Sequence, residues 1–262
     1  MKKLIFQPFH LVTLRPWPIF ISLILIIRFI NSIYIFHYVN RLYLIIRLII
    51  LILIIYQWWR DVVRERTFQG YHTLKVLNGI KFGIILFIVS EVFFFIRIFW
   101  CYFHIYLSPR IEIGCLWPPK NIISFNPYYI PLLNTVILLS SGVRVTLCHY
   151  SLINKNKFIR IIRILITIIL GFLFSYYQYI EYKEAYFCIS DSIYGSIFFI
   201  ATGFHGLHVL VGTLFLIVNY YRIILNNYSF DHHFGFEGAA WYWHFVDLVW
   251  LFLYLLVYYW SN

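Results

Sequence analysis

Charged residues are scarce in this sequence of 262 residues: they make up 12%, whereas 62% of the residues are hydrophobic. A soluble domain carries about 25% charged residues. This chain has too few polar groups to cover its apolar surface in water, so the excess must face lipid. The composition excludes an ordinary soluble domain and indicates a polytopic membrane protein.

Cysteine and alanine are also rare. The four cysteines are far apart, with no CxxC pair and no zinc-like grouping. Alanine occurs four times, while isoleucine, phenylalanine and tyrosine are abundant. This bias is typical of an AT-rich genome, such as that of an organelle.

Seven apolar segments approach or exceed the length of about 20 residues that a helix needs to cross the hydrocarbon core. They cover residues 17–36, 42–59, 82–106, 128–148, 161–180, 193–221 and 238–260. A helix satisfies its own backbone hydrogen bonds in lipid. The pattern therefore predicts an all-α integral membrane protein, with seven transmembrane helices in a single membrane domain.

The lysines and arginines set the orientation. Of the 21, 13 lie on the side that holds the N-terminus, and only Arg41, Arg110, Lys120 and Lys183 lie on the opposite side. The positive-inside rule predicts the N-terminus in the matrix or cytosol and the C-terminus outside. The net charge of +11 thus reflects topology and anionic lipid headgroups, and we expect no nucleic-acid binding.

The second segment ends in a basic aromatic motif. Trp58 and Trp59 suit the headgroup level, Arg60 and Arg64 share one helix face, and Asp61 is close enough to pair with Arg64. This pattern fits either a ledge that binds phosphate or ordinary interfacial anchoring.

Glu91 lies inside the third segment. A charged side chain near the centre of a membrane helix costs about 2.5–3.5 kcal/mol on insertion scales, so this carboxyl group needs compensation. Two readings stay open: a buried protonatable site beside a lipid cleft or proton route, and a carboxylic acid hydrogen-bonded to another helix.

The sixth and seventh segments carry His205, His208, His244 and Asp247, and Glu237 directly precedes the seventh. Paired imidazoles can ligate haem or a metal, but these histidines do not complete the closely spaced boxes by which membrane desaturases bind iron. We therefore predict a polar seam that packs helices together, and no metal site.

Several strings together resemble one family, subunit III of mitochondrial cytochrome c oxidase, from about Pro16 to Trp260. They are YQWWRD (56–61), TFQG (67–70), LFIVSE (86–91), PLLNT (131–135), ATGFHGLH (201–208), HHFGFE (232–237) and WYWHFVD (241–247). The resemblance implies two first helices splayed from a five-helix bundle, with phospholipids in the V-shaped cleft between them. It implies no haem or copper in this chain and no catalytic residue.

The resemblance also implies partners and contacts. The partners are the catalytic core subunits I and II, which hold haem and copper, accessory subunits, and cytochrome c only through the complex. Such complexes reduce O2 and pump protons in the mitochondrial inner membrane, here with the N-terminus in the matrix and the C-terminus in the intermembrane space. Phospholipids, cardiolipin among the candidates, are expected at a set of matching residues: Trp58, Trp59, Arg64, Glu65, His72 and Arg222. Glu91 matches the membrane-embedded glutamate of the family.

Three alternatives remain. A quinol-type haem-copper oxidase subunit III differs in the electron donor of its complex. A transporter predicts broken helices and inverted repeats, and a membrane metalloenzyme predicts bound metal.

Overall fold

The computed structural model of this chain describes residues 8–37, 42–109, 111, 114–120, 122–229 and 232–261. Seven α-helices follow one another in this part of the chain, and a π-helical turn, Tyr254–Tyr259, continues the last one. The helices are α1 (Trp17–His37), α2 (Leu42–Thr67), α3 (Leu74–Leu107), α4 (Ile130–Ile153), α5 (Lys157–Glu184), α6 (Ile193–Ile224) and α7 (Phe234–Leu253). The predicted all-α membrane fold with seven helices is confirmed.

Five of these helices, α3 to α7, are long and apolar enough to cross a membrane, while α1 contributes a shorter apolar stretch, Trp17–Asn31. Several helices extend beyond the predicted segments. α2 ends at Thr67 instead of residue 59, and α3 begins at Leu74 instead of residue 82. The apolar run marks only the part of a helix in hydrocarbon, whereas the backbone hydrogen bonds continue into the interface.

The ends of three helices follow from local sequence. Pro131 lies in the first turn of α4. Backbone N–H groups in the first turn have no acceptor within the helix, so a proline there costs no hydrogen bond. The side chain of Asn156 accepts a hydrogen bond from the backbone N–H of Ile159, and that of Ser192 accepts one from Gly195. These caps satisfy donors that the first turns of α5 and α6 leave unpaired.

The chain divides into two compact units, Met1–Ile80 and Lys81–Asn262. In the first unit, α1 packs against α2. In the second, α4 packs against α5, α5 against α6, α6 against α7, and α7 against α4, so these four helices form a closed bundle. The prediction of a single membrane domain stays a prediction.

Trp243 lies at the centre of the second unit and is fully buried. Its indole N–H donates a hydrogen bond to the hydroxyl of Ser141 on α4, at 2.8 Å. Gly171 on α5 and Gly212 on α6 leave room for its ring, because a Cβ at either position would collide with it. Small residues thus allow three helices to approach one tryptophan.

We expect Gly212→Ala to destabilise the protein by about 1–3 kcal/mol, the usual effect of overpacking a core. The added Cβ would lie 2.8 Å from the Trp243 ring. Thermal inactivation of the detergent-solubilised protein measures the change.

Gly206→Ala on the same helix is the matched control, since a Cβ there meets nothing within 4 Å among the described residues. The control should be neutral or stabilising by up to about 1 kcal/mol, the helix propensity gain of alanine. Equal losses in both variants would contradict the packing role of Gly212.

Candidate functional site

The C-terminal end of α2 carries a buried carboxylate, Glu65, which is 6% exposed. It forms an ion pair with Arg15, and its Oε2 lies 3.1 Å from Nε2 of His10. Both partners come from the segment before α1. An antiparallel helix pair places the residues before its first helix beside the end of its second, so the fold brings Arg15 and His10 to Glu65.

The second carboxylate of this helix end, Asp61, is also paired. It accepts hydrogen bonds from the indole N–H of Trp17 on α1, at 2.8 Å, and from Arg60, at 3.2 Å. The Trp17 hydrogen bond is the main reason that the pKa of Asp61 falls below its usual value, and Arg60 lowers it further. The sequence suggested Arg64 as the partner of Asp61, but Arg60 and Trp17 are its partners in the structure.

The other predicted lipid contacts of the first unit differ in exposure. Trp58 is partly buried, Trp59 is half exposed and Arg64 is exposed. His72, partly buried, lies with its ring centroid 5.6 Å from that of His10. Burial, followed by the nearby charges of His10 and Arg66, lowers the pKa of His72, so its neutral form is favoured.

Arg222, the sixth predicted lipid contact, belongs to the second unit. It lies at the end of α6, with its guanidinium 4.3 Å from the centroid of the Tyr228 ring. A Cβ at Gly235 would come within 2.5 Å of its Nη1. Arg222, at the end of α6, therefore packs closely against Tyr228 and against Gly235 at the start of α7.

Glu91 on α3 is hydrogen-bonded to His208 on α6, with Oε2 and Nε2 2.9 Å apart. The other ring nitrogen of His208, Nδ1, lies 2.6 Å from the carbonyl oxygen of Phe204. A carbonyl only accepts, so Nδ1 is the donor there, and one further proton must lie between Nε2 and the carboxyl group. The pair has no net charge with that proton on either partner, which suits a membrane interior.

The remaining residues of the predicted seam do not join this pair in one hydrogen-bonded network. His205 is fully buried, and its Nε2 lies 3.2 Å from the carbonyl oxygen of Val246 on α7. His244 and Asp247 lie 4.0 Å apart and close to Gly142 on α4. Glu237, at the start of α7, is engaged by a different set of side chains: Lys81, His233 and, through His233, His149.

An apolar groove of about 660 Å³ lies between α3 and α7 in the second unit. Its lining is aliphatic and aromatic, with His244 as its polar member: Ile85, Ile88, Val89, Val92, Phe95, Ile96, Phe99, Trp241, His244, Phe245, Leu248, Val249 and Phe252. Such a surface suits a hydrocarbon chain and offers little to a polar ligand.

The sequence reading missed His10, Arg15 and Trp17, which hold the two carboxylates at the end of α2. A usable signal existed. Residues before the first span and after the second must lie on the same side of the membrane, and Arg15 in the first stretch has the opposite charge to Asp61 and Glu65 in the second.

Two groups of side chains have spacings that could hold a metal ion. They are His10 with Glu65 and His72, and His149 with His233 and Glu237. In both groups a cationic side chain contacts the carboxylate, Arg15 on Glu65 and Lys81 on Glu237, and either positive charge would oppose a metal cation. In the second group Lys81 contacts Oε2 at 3.5 Å, while Oε1 faces His233.

The long apolar helices and the carboxyl–imidazole contact between two of them define a polytopic α-helical membrane protein. The family model for cytochrome c oxidase subunit III matches residues 7–262. The chain is also similar to cytochrome c oxidase subunit 3 of Drosophila melanogaster (54% identity) and of Rhipicephalus sanguineus (52%). Each alignment covers 98% of this chain. It covers 98% of the Drosophila protein and 100% of the Rhipicephalus protein. The chain therefore belongs to the cytochrome c oxidase subunit III family, whose members are components of the oxidase complex.

We expect Glu91→Gln to lose less than about 1 kcal/mol of stability, because the amide can donate to Nε2 of His208 in the same place. Glu91→Leu should cost about 1–3 kcal/mol, since it leaves that nitrogen without its partner. Thermal inactivation of the assembled complex compares the two variants. A larger loss for the glutamine variant would show that the pair depends on a full carboxylate charge.

Proposed function

We propose that this chain is a non-redox subunit of a cytochrome c oxidase in the mitochondrial inner membrane, where it holds phospholipids as fixed parts of the assembly. It would pack against the core subunits I and II and accessory subunits, and meet cytochrome c only through the complex. In this role it supports the core that reduces O2 and takes up protons. Haem and copper belong to the partner subunits.

The observation that carries the lipid role is the distribution of charge at the end of α2. Glu65 is neutralised by Arg15 and also contacts His10, and Asp61 is neutralised by Arg60 and accepts a hydrogen bond from Trp17. Arg64 is exposed and has no ion pair among the described residues. An arginine in this state, five residues beyond the exposed Trp59, suits a phosphate group at headgroup level.

The other proposed contacts extend this binding. His72 is favoured in its neutral form and can donate one N–H to a phosphate oxygen. Arg222 would bind a headgroup from the second unit. The apolar groove between α3 and α7 supports the same proposal, because its aliphatic and aromatic lining suits an acyl chain.

The orientation is part of the proposal. Of the 21 arginines and lysines, 13 lie before α1, at the ends of α2 and α6, at the starts of α3 and α5, and in the turn between α4 and α5. By the positive-inside rule this distribution favours the N-terminus in the matrix and the C-terminus in the intermembrane space. Lys2, Lys3, Arg41 and Arg110, which enter this argument, lie outside the described residues.

The assignment to the complex is tested on a native gel of mitochondrial membranes solubilised in mild detergent. We expect this polypeptide in the band that oxidises reduced cytochrome c. Its presence in a band that oxidises quinol instead would favour the quinol-type alternative, and its absence from both would contradict the assignment.

The lipid role predicts that Arg64→Gln weakens phospholipid retention by about 1.5–3 kcal/mol, the contribution of a charged hydrogen bond, or at least about tenfold. The measurement is mass spectrometry of lipids extracted from the purified complex after successive detergent washes. Arg60→Gln is the matched control on the same helix, because Asp61 already neutralises Arg60. Equal retention in the wild type and both variants would contradict the role of Arg64.

A further inference from the structure

Three side chains from two distant parts of the sequence meet at one end of the second unit. His149 lies near the end of α4, His233 directly precedes α7, and Glu237 lies in the first turn of α7. Nε2 of His233 lies 3.1 Å from Nε2 of His149 and 3.0 Å from Oε1 of Glu237. All three potential ligand atoms lie within 4.8 Å of one another.

The hydrogen bonds of His233 indicate which ring nitrogen carries a proton. Its Nδ1 lies 3.2 Å from the carbonyl oxygen of Ser229. A carbonyl only accepts, so Nδ1 carries a proton, and in the neutral ring Nε2 is then a lone pair. That lone pair faces the carboxylate of Glu237, which is also an acceptor. Two acceptors 3.0 Å apart require a proton or a metal cation between them.

We propose that His149, His233 and Glu237 form a zinc-binding site, with Nε2 of each imidazole and Oε1 of the carboxylate as ligands. Two imidazoles and one carboxylate are a recurrent zinc ligand set, with the fourth position left to water. Imidazole nitrogen favours zinc over magnesium or calcium, which prefer oxygen ligands. Zinc has no redox chemistry, so the site is compatible with a subunit that carries no redox centre.

The surroundings orient the ligands. The bond from His233 to the Ser229 carbonyl fixes the ring with Nε2 toward the site, as outer hydrogen bonds do in other zinc sites. The His149 ring stacks on Phe236, with an interplanar angle of 21° and ring centroids 6.0 Å apart. Lys81 contacts the other carboxylate oxygen of Glu237, Oε2, at 3.5 Å, which leaves Oε1 for the metal.

The sequence alone predicted no metal site, because the three ligands do not lie in one motif. His149 is separated from His233 by the whole of α5 and α6. Only the packing of α4 against α7 brings them within bonding distance of one ion.

The test uses the purified oxidase complex, stripped of loosely bound metal with a chelator and titrated with zinc chloride. Bound zinc is measured by mass spectrometry after removal of the free ion. The wild type should bind one zinc ion that His233→Gln and Glu237→Gln bind on the order of 100-fold more weakly. His232→Gln is the matched control, since this exposed neighbour lies outside the ligand set, and it should bind zinc as the wild type does.

Zinc binding of equal affinity in the wild type and all three variants would overturn the proposal. If a variant fails to assemble, anomalous diffraction at the zinc edge from wild-type crystals soaked in zinc chloride decides the matter. A peak at about 2.0–2.2 Å from the two imidazole nitrogens and the carboxylate oxygen supports the site. No peak there overturns it.

Discussion

The need to pair every polar group that the helices carry out of water shapes this molecule. An unpaired polar group in an apolar environment costs several kcal/mol, and an unpaired charge costs more. Glu91 meets this constraint through His208, and His205 meets it through the carbonyl of Val246. Each of these contacts joins two helices, so the pairing that makes the side chains tolerable also fixes which helices are neighbours.

The same constraint acts at the end of α2, where water and headgroups are near. Glu65 and Asp61 are held by partners from before and within α1, and these pairs tie α1 to α2. Because the carboxylates already have other partners, Arg64 forms no ion pair with them in the described part of the chain. Internal pairing thus leaves Arg64 available to the phosphate of a lipid, and the proposed lipid role depends on that surplus.

Arginines within the predicted spans show two other solutions. Arg47 on α2 donates to the carbonyl oxygen of Ile27 on α1, at 3.2 Å, and the guanidinium of Arg97 lies 5.8 Å from the centroid of the Phe94 ring. Both contacts offset part of the loss of hydration. At the start of α7, Nε2 of His233 and Oε1 of Glu237 lie 3.0 Å apart, so a proton or, as we propose, a bound cation lies between them.

The sequence by itself determined the class of the protein and the order of its helices. Hydropathy located seven helices because lipid demands long apolar runs, and the ordered motifs identified the family. Glu91 was marked as needing a partner, but His208 could not be singled out from the other intramembrane histidines, since spacing within one helix says nothing about which face meets which neighbour. The tertiary structure alone decided that His10, Arg15 and Trp17 reach the end of α2, and that His149 meets His233 and Glu237. Those contacts join residues far apart in sequence, and their distances depend on how the helices pack, which local patterns do not encode.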